Sequence, residues 1–399
     1  MRGEDVPLVL VAGGGVAALE TLLGLERLAG ERVRVELLAP ESEYRLRALS
    51  VAEPFGGAPL RAVPLARFAG AHGALYRQGT LAEVAPGEKR VLTRGGEALP
   101  YDALVVACGA EPREAVPGAF TFRGPDDVAA LGGLIAELDR GAARSIALVA
   151  ARGSSWSLPL YELALMTAAR HPEAEVVLVT PEPSPLALFG SRASEAVART
   201  LAEVGVAFVG GAEALRFGDG RLELRSGGPL RVDLAVAVPG LAPPRLPGLP
   251  HDEDGWLATD AHGRVPGVED VYAAGDVTAQ PLKQGGLAAQ QADAVAEAIA
   301  AWAGARLEPT PFRPVLRGQL LTGDSSLYLH ADPSDGDSEA GPRPLWWPPA
   351  KIAGKYLGPA LAQAGVVSLP ESSYPGGLEV QVDLDERSVA SLLQAMRSA

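Results

Sequence analysis

The sequence predicts an α/β protein with two parallel-sheet units and a smaller C-terminal part. Two stretches carry this prediction, because each joins a short apolar strand to a helix. The first is residues 6–28, where a Val- and Leu-rich run leads through three glycines into leucines at helical spacing. The second begins at Ser145 and continues through a predicted helix at 158–169 to a strand at 175–180. At 399 residues, the chain is also too long for one simple core.

Composition narrows the classes of function. The net charge of −14 argues against nucleic-acid binding and against polybasic attachment to anionic lipid. The sequence holds no apolar run long enough to span a membrane and starts with no signal-peptide pattern, so we expect a cytoplasmic protein. The single cysteine, Cys108, excludes an intramolecular disulfide, a redox dithiol and a cysteine zinc site. Five scattered histidines lack metal-ligand spacing.

The first glycine turn has the pattern G-x-G-x-x-A, formed by Gly13, Gly15 and Ala18. Its place between a strand and a helix makes the motif specific for a dinucleotide. The glycines let the backbone approach a pyrophosphate, and Ala18 allows close packing of helix on strand. The start of the helix offers free N–H groups and a positive dipole to the phosphates.

An acid at the tip of the second strand is expected to contact the ribose hydroxyls of such a ligand. The predicted strand spans residues 33–38, and Glu41 follows its tip. Glu41 is therefore the candidate, with a solvated loop carboxylate as the alternative. Glu36 lies inside the strand, where we expect it to face a polar neighbour.

Two further stretches resemble flavoproteins of the pyridine nucleotide–disulfide oxidoreductase superfamily. They are residues 101–110 (YDALVVACGA) and 267–276 (GVEDVYAAGD). The resemblance implies that Cys108 and Gly109 lie against FAD and that Gly275 and Asp276 meet its ribitol. Cys108 stands where relatives have threonine, and we interpret it as a small buried residue rather than a reactive thiol. FAD is expected to bind tightly but not covalently.

The same resemblance implies the domain order. Because Asp276 must return to the FAD, the second unit is inserted in the first. We therefore predict two Rossmann-like, three-layer domains and a C-terminal α+β cap. The FAD-binding domain takes residues 1–112 and 241–305, the second Rossmann-like domain takes 113–240, and the cap takes 306–399.

The turn of the second unit departs from the nicotinamide-binding pattern. Of its expected glycines only Gly153 remains, and Trp156 stands where close packing is needed. This turn resembles the branch of sulfide:quinone oxidoreductase, flavocytochrome c sulfide dehydrogenase and type II NADH dehydrogenase. By that resemblance Glu162 is a candidate catalytic proton relay near the isoalloxazine, with a helix-surface acid as the alternative. Glu182 would suit a ribose contact only in an ordinary NAD site.

A helix predicted at residues 286–302 completes the expected FAD site. In relatives its N-terminus points at the flavin, so the backbone N–H groups of Gln284 and Gly285 are candidate donors. Lys283 is a candidate catalytic residue that adds positive charge there, or else it is solvated. After the helix, Pro309, Pro311 and Pro314 mark a linker.

The C-terminal part gathers Trp346, Trp347 and Lys351. Relatives use this part to cover the flavin and to dimerise or meet membrane and quinone. The resemblance thus places the three residues near the isoalloxazine, with a buried C-terminal core as the alternative. A homodimer and a weak peripheral membrane contact stay open, and the amphipathic stretch at 388–396 is too short to anchor alone.

These observations predict an FAD-dependent oxidoreductase that takes electrons from an unidentified small-molecule donor and passes them to a quinone-like or other acceptor. A pocket of Trp156, Tyr161, Trp346 and Trp347 would suit a flat apolar acceptor. NADH and NADPH are expected to be poor donors, and cysteine-based sulfide oxidation is expected to be absent. The alternatives are an NAD(P)H:acceptor oxidoreductase with a non-standard turn and a non-catalytic FAD-binding protein.

Overall fold

The computed structural model describes residues 6–57, 59–151, 153–323, 326–331, 338–341, 346, 351–352 and 354–367. Seven α-helices lie within these residues. In chain order they are α1 Val16–Leu28, α2 Leu65–Ala71, α3 Val128–Asp139, α4 Leu158–Arg170, α5 Ser191–Glu203, α6 Gly285–Trp302 and α7 Leu357–Gln363.

The first sheet has five parallel strands and contains the glycine-turn strand at its centre. Its interior strands are apolar on both faces, which a parallel sheet covered on both sides requires. In spatial order the strands are Val271–Ala273, Ala103–Val106, Leu8–Ala12, Arg34–Ala39 and Leu75–Gln78.

Layers on both faces bury this sheet. On one face α1 and α6 pack side by side, closely enough that a Cβ on Gly24 would lie 2.7 Å from the Cβ of Ala296. On the other face lies an antiparallel sheet of Leu81–Ala85, Arg90–Thr93 and Ala98–Pro100. The predicted three-layer arrangement is therefore present.

The second sheet repeats the plan with five parallel strands. In spatial order these are Phe120–Thr121, Leu234–Ala237, Ser145–Val149, Glu175–Val179 and Ala207–Val209. Helices α3, α4 and α5 pack on one face. The other face carries the antiparallel strands Ala214–Gly218, Arg221–Leu224 and Leu230–Arg231.

One antiparallel pair, Glu111–Arg113 with Gly240–Ala242, lies where the chain leaves the first sheet and where it comes back. Every strand of the second sheet falls between these two segments, and the last strand of the first sheet, Val271–Ala273, follows them. The second unit is thus an insertion in the first, as predicted.

In its described residues, the C-terminal part contains a three-stranded antiparallel sheet and α7. The strands are Arg317–Leu321, Ser326–Ala331 and Ser338–Gly341. Their apolar residues join the core that includes α4 and α5, while α7 packs against α1. An α/β protein with a mixed C-terminal part is therefore confirmed; residues 388–396 lie outside the described residues.

Short elements complete the chain. The strands Glu43–Tyr44 and Val63–Pro64 pair with each other and flank the 3-10 helix Arg47–Phe55. The remaining 3-10 turns are Gly30–Arg32, Pro86–Glu88, Pro125–Asp127 and Ala187–Phe189.

Candidate functional site

The glycine turn sits at the carboxyl edge of the first sheet. Gly13 has φ +144°, and a Cβ there would lie 2.1 Å from the carbonyl oxygen of Ala107. Gly15 is the N-cap residue of α1 and faces open space, since a Cβ there would meet nothing within 4 Å. The first turn of α1 holds no acidic side chain, so its N–H groups remain available to an anion.

Glu41 lies over this turn. A Cβ on Gly14 would lie 3.2 Å from Glu41 Oε2, and the Tyr76 hydroxyl donates to the Glu41 carbonyl oxygen at 2.6 Å. The Glu41 side chain is exposed, as both the ribose contact and the solvated alternative require. Glu36 forms an ion pair with Arg77, so its predicted polar neighbour is present. Ala18, the last residue of the motif, is fully buried.

The stretch after the strand Ala103–Val106 reaches the same edge. Gly109 has φ +74° and open space where a Cβ would be. Cys108 is exposed, so its interpretation as a buried packing residue was wrong. The physical reason is its position two residues beyond the end of the buried strand Ala103–Val106, where the chain has left the sheet. Desolvation by the surrounding protein nevertheless raises the pKa of the thiol to about 12, which supports the other half of that interpretation, an unreactive thiol.

The turn that carries Asp276 is held from α6. Gly275 has φ +83°, and a Cβ there would lie 3.0 Å from the Cβ of Ala17. Gln291 Oε1 accepts from the Gly275 N–H at 2.7 Å, and its Nε2 donates to Thr278 Oγ1 at 3.1 Å. Sequence reasoning missed Gln291. The sequence signal that could have found it is a glutamine within the apolar, buried face of the predicted helix.

Asp276 follows Gly275 at this turn. Among the described residues, no donor forms a hydrogen bond with its side chain. Burial raises the pKa of Asp276, and the charges of Lys283 and Arg47 oppose that rise. Arg47 is a second residue that sequence reasoning did not single out. Gly124 makes room for it, since a Cβ there would lie 2.7 Å from Arg47 Cγ.

Lys283 is buried beside Asp276, with 8% of its surface exposed. Its Nζ donates to the Thr278 carbonyl oxygen at 2.5 Å and lies 3.6 Å from the centroid of the Trp256 ring. Burial lowers the pKa of Lys283 to about 8, against the opposing charges of Asp276 and Asp252. The solvated alternative for Lys283 is therefore wrong.

Gln284 and Gly285 begin α6, and both are covered. Gln284 is the N-cap residue: its Oε1 accepts from Leu287 N–H at 2.8 Å, and its Nε2 donates to the Arg317 carbonyl oxygen at 3.0 Å. A Cβ on Gly285 would lie 2.8 Å from Ile352 Cδ1. Their backbone contact with a flavin stays a prediction.

Glu162 and Lys351 form a buried ion pair. The Glu162 carboxylate is fully buried, accepts from Lys351 Nζ at 2.5 Å on both oxygens, and accepts from Leu321 N–H at 2.9 Å. The helix-surface alternative for Glu162 is therefore wrong. Burial raises the pKa of Glu162 and lowers that of Lys351, and each charge opposes the shift of the other. Their predicted place beside a flavin stays a prediction.

In the second unit, Glu182 follows the strand Glu175–Val179 and binds the turn before α4. Its buried carboxylate accepts from Ser157 Oγ at 2.7 Å, from the Tyr161 hydroxyl, and from Thr180 Oγ1 at 3.3 Å. Tyr161 is fully buried, so the predicted pocket wall at this residue was wrong. The physical reason is the Glu182 carboxylate, which holds the phenol inside the protein.

Trp156 and Trp346, which were predicted to line that pocket, pack against other aromatic rings. Trp156 packs against Phe189 with ring centroids 6.0 Å apart, and Trp346 packs edge-on against Tyr328 at 5.3 Å. Trp347 lies outside the described residues. A half-open cavity of about 500 Å³ is lined by Leu49, Ala52, Pro59, Leu60, Arg61, Gly365, Val366 and Val367.

Residues 7–301 match the pyridine nucleotide-disulphide oxidoreductase family. The chain belongs to this family. Its members are flavin-dependent oxidoreductases, so the predicted family, enzyme class and flavin dependence are confirmed at that level. A search among curated proteins gave no match.

Solved structures share the fold. The sulfide:quinone oxidoreductase of Aquifex aeolicus superposes with a TM-score of 0.77 at 17% identity, over 93% of this chain and 100% of that one. A ferredoxin reductase of Rhodopseudomonas palustris gives 0.64 at 18% identity, over 81% and 82%. NDH2 of Plasmodium falciparum, solved with NADH, gives 0.57 at 15% identity, over 69% and 65%. No helix in the described part of the chain could cross a membrane.

Proposed function

We propose that the protein holds FAD non-covalently at the carboxyl edge of the first sheet. Electrons then pass from a donor other than NADH or NADPH to a flat apolar acceptor of the quinone class. One observation carries this proposal: the glycine turn, the Cys108–Gly109 stretch and the Gly275–Asp276 turn, far apart in sequence, meet at one edge.

The residues at this edge fit the cofactor. The open space at Gly15 and the free N–H groups of α1 suit the pyrophosphate. Glu41 is placed for the ribose hydroxyls, and the free Asp276 carboxylate suits a ribitol hydroxyl. FAD supplies the electron-transfer chemistry when bound, while Lys283 contributes positive charge at the cleft. Cys108 is the single cysteine, so no second thiol is available for a disulfide relay, and no cysteine lies near Tyr44 in the sequence to form a thioether to the flavin.

The second unit supports a donor other than a nicotinamide nucleotide. Glu182 follows the second strand of this unit, where a nicotinamide site would have an acid for the ribose. Its carboxylate oxygens already accept hydrogen bonds from Ser157, Tyr161 and Thr180. The turn before α4 keeps Gly153 alone of the usual glycines, with Trp156 packed on Phe189 beside it. Close approach of a pyrophosphate at this turn would need small residues.

The cavity at Leu49 and Ala52 is our candidate for the acceptor site. Its walls are mostly aliphatic, with one guanidinium from Arg61. The 3-10 helix that forms one wall also carries Arg47, whose charge acts on Asp276. A flat apolar molecule with carbonyl oxygens fits such walls.

Anaerobic absorbance spectroscopy tests the cofactor and the donor together. The purified protein is expected to be yellow, or to become so with added FAD, and mixing with NADH or NADPH should bleach the flavin band slowly and without saturation. Absence of flavin binding would overturn the assignment of FAD as the cofactor, and the protein would then not be a flavoenzyme. Fast saturable bleaching by either nucleotide would overturn the donor and favour a nicotinamide-driven reductase.

A second experiment tests the acceptor. Dithionite-reduced protein is mixed with a short-chain quinone, and return of the oxidised spectrum is followed. Ala52→Trp should fill the cavity and slow reoxidation by the quinone, whereas Ala71→Trp on the exposed end of α2 should not. No quinone-dependent reoxidation in the parent protein, or equal rates in both variants, would place the acceptor elsewhere.

A further inference from the structure

The carboxylate of Glu20, in the middle of α1, is fully buried and binds the C-terminal strap, which we define as residues 354–367. It accepts from the N–H groups of Tyr356 and Leu357 at 2.7 Å each, so it caps the start of α7. The strap fits closely around it, since a Cβ on Gly354 would lie 2.6 Å from Glu20 Oε2. Glu20 therefore holds the strap on the first unit.

Asp293 of α6 faces the same carboxylate. Asp293 Oδ1 is shielded from water without a partner in the described part of the chain, and the Glu20 charge acts on the Asp293 carboxyl group. Two buried carboxylates that were both ionised would repel each other, so this arrangement favours a proton on one of them. The close packing of Gly24 on Ala296 brings the two helices near enough for this arrangement.

The neighbouring charges do not replace that proton. Glu297, one turn along α6, adds negative charge, and the Lys355 ammonium lies 3.9 Å from Glu297 Oε1 with much of its side chain in water. The Glu20 charge also acts on the phenol of Tyr44, and the Tyr356 ring lies beside Gly24 on α1. Burial and the Glu20 charge raise the pKa of Asp293 to about 9, while Lys355 opposes them.

We propose that Glu20 and Asp293 form a proton-dependent clasp, which holds the strap closed while the two carboxyl groups share a proton and lets it open when the proton is lost. The end of the strap forms one wall of the cavity that we propose for the acceptor. Arg61 Nη1, from the same cavity, donates to the carbonyl oxygens of Ala364 and Gly365 at 3.4 Å each. Opening would therefore widen that cavity.

The expected pH dependence follows from proton linkage. In the open strap both carboxyl groups reach water and ionise, with ordinary pKa values of about 4. The closed strap then holds one proton more than the open strap. The open fraction should rise about tenfold per pH unit from about pH 6 to about pH 8.5.

Thiol accessibility measures the open fraction. Leu361→Cys, at a position with 3% exposure, is placed in a Cys108→Ser background and treated with a neutral disulfide reagent. Leu75→Cys in the same background, at a position with 68% exposure, reports the intrinsic reactivity of an open thiol at each pH. The ratio of the two rates gives the open fraction and needs neither bound FAD nor a donor, so its outcome is independent of the proposed function.

Two further variants make the test specific. Asp293→Asn can donate its amide to Glu20 without a titrating proton, so its rate ratio should stay flat with pH. Glu297→Gln removes one negative charge from the same helix and should keep the full slope. A ratio in the parent that changes less than about threefold over this range would overturn the clasp. So would an Asp293→Asn protein with the parent's slope, and if that variant fails to fold, the parent series alone decides.

Discussion

A Cβ on Gly13 would lie 2.1 Å from the carbonyl oxygen of Ala107, so two neighbouring strands of the first sheet end in direct backbone contact. Gly15, two residues later in the same turn, has open space in that direction. Gly13 is therefore required by the fold, whereas Gly15 leaves space for a ligand at the turn.

Substitutions of Gly13 and Gly15 should consequently affect different properties, stability in the first case and FAD binding in the second. Gly13→Ala should lower the free energy of unfolding, by about 1–3 kcal/mol for the strained backbone alone, with the steric overlap adding to it. Gly15→Val should leave the apoprotein close to parental stability and abolish FAD binding, because its side chain enters the pyrophosphate space. Denaturant unfolding and FAD titration separate the two effects. Normal FAD affinity in Gly15→Val would mean that the cofactor does not use this turn.

Asp276 and Gln291 should affect FAD affinity by different routes. Asp276→Asn removes the charge that we assign to a ribitol hydroxyl and should raise the FAD Kd about tenfold to a hundredfold. Gln291→Ala releases the turn at Gly275 and Thr278 and should raise it less. Gln290→Ala, which loses contacts with the linker instead, is the matched control. Isothermal titration with FAD measures all three, and equal loss in Gln290→Ala and Gln291→Ala would argue against a positioning role.

Lys283 should give the midpoint potential of bound FAD a pH dependence. Burial lowers its pKa to about 8, so the ammonium is charged below that pH and neutral above it. Negative charge on the reduced cofactor would favour the charged form, so reduction above about pH 8 should take up an additional proton. The potential should then fall more steeply with pH above about 8 than below it. Lys283→Met should lack this change of slope, and Lys89→Met, at an exposed ion pair, should keep it.

The Glu162–Lys351 pair should contribute strongly and non-additively to stability. Glu162→Gln leaves the Lys351 charge buried without a counter-charge and should cost about 3–5 kcal/mol. The double variant Glu162→Gln/Lys351→Met removes both charges and should cost less than the sum of the single variants. Guanidinium unfolding of the four proteins measures the coupling energy. Additive losses would show that the two side chains act independently.

Much of the architecture was readable from local patterns. The helix predicted at 158–169 is α4, Leu158–Arg170, and the one predicted at 286–302 is α6, Gly285–Trp302. The strand predicted at 33–38 is Arg34–Ala39. These elements could be predicted because apolar spacing and glycine turns are signals within a few consecutive residues.

Contacts between distant residues were not readable. Glu162 and Lys351 are 189 positions apart, and no spacing in the sequence could pair them. Tyr161 looked like a pocket wall because nothing local indicates that Glu182, which follows the next strand, binds its hydroxyl inside the protein. Gln291 was hidden among alanines, and only the tertiary position of the Gly275 turn gives its amide a role.

The antiparallel pairing of Arg113 with Gly240 places the two ends of the inserted segment side by side. A segment whose entry and exit are neighbours can be exchanged as a cassette, because the host needs only a short bridge to stay continuous. Evolution could therefore rebuild residues 114–239 without changing the sheet that carries the glycine turn. Protein engineers could use the same junction to graft a different parallel-sheet unit onto this host.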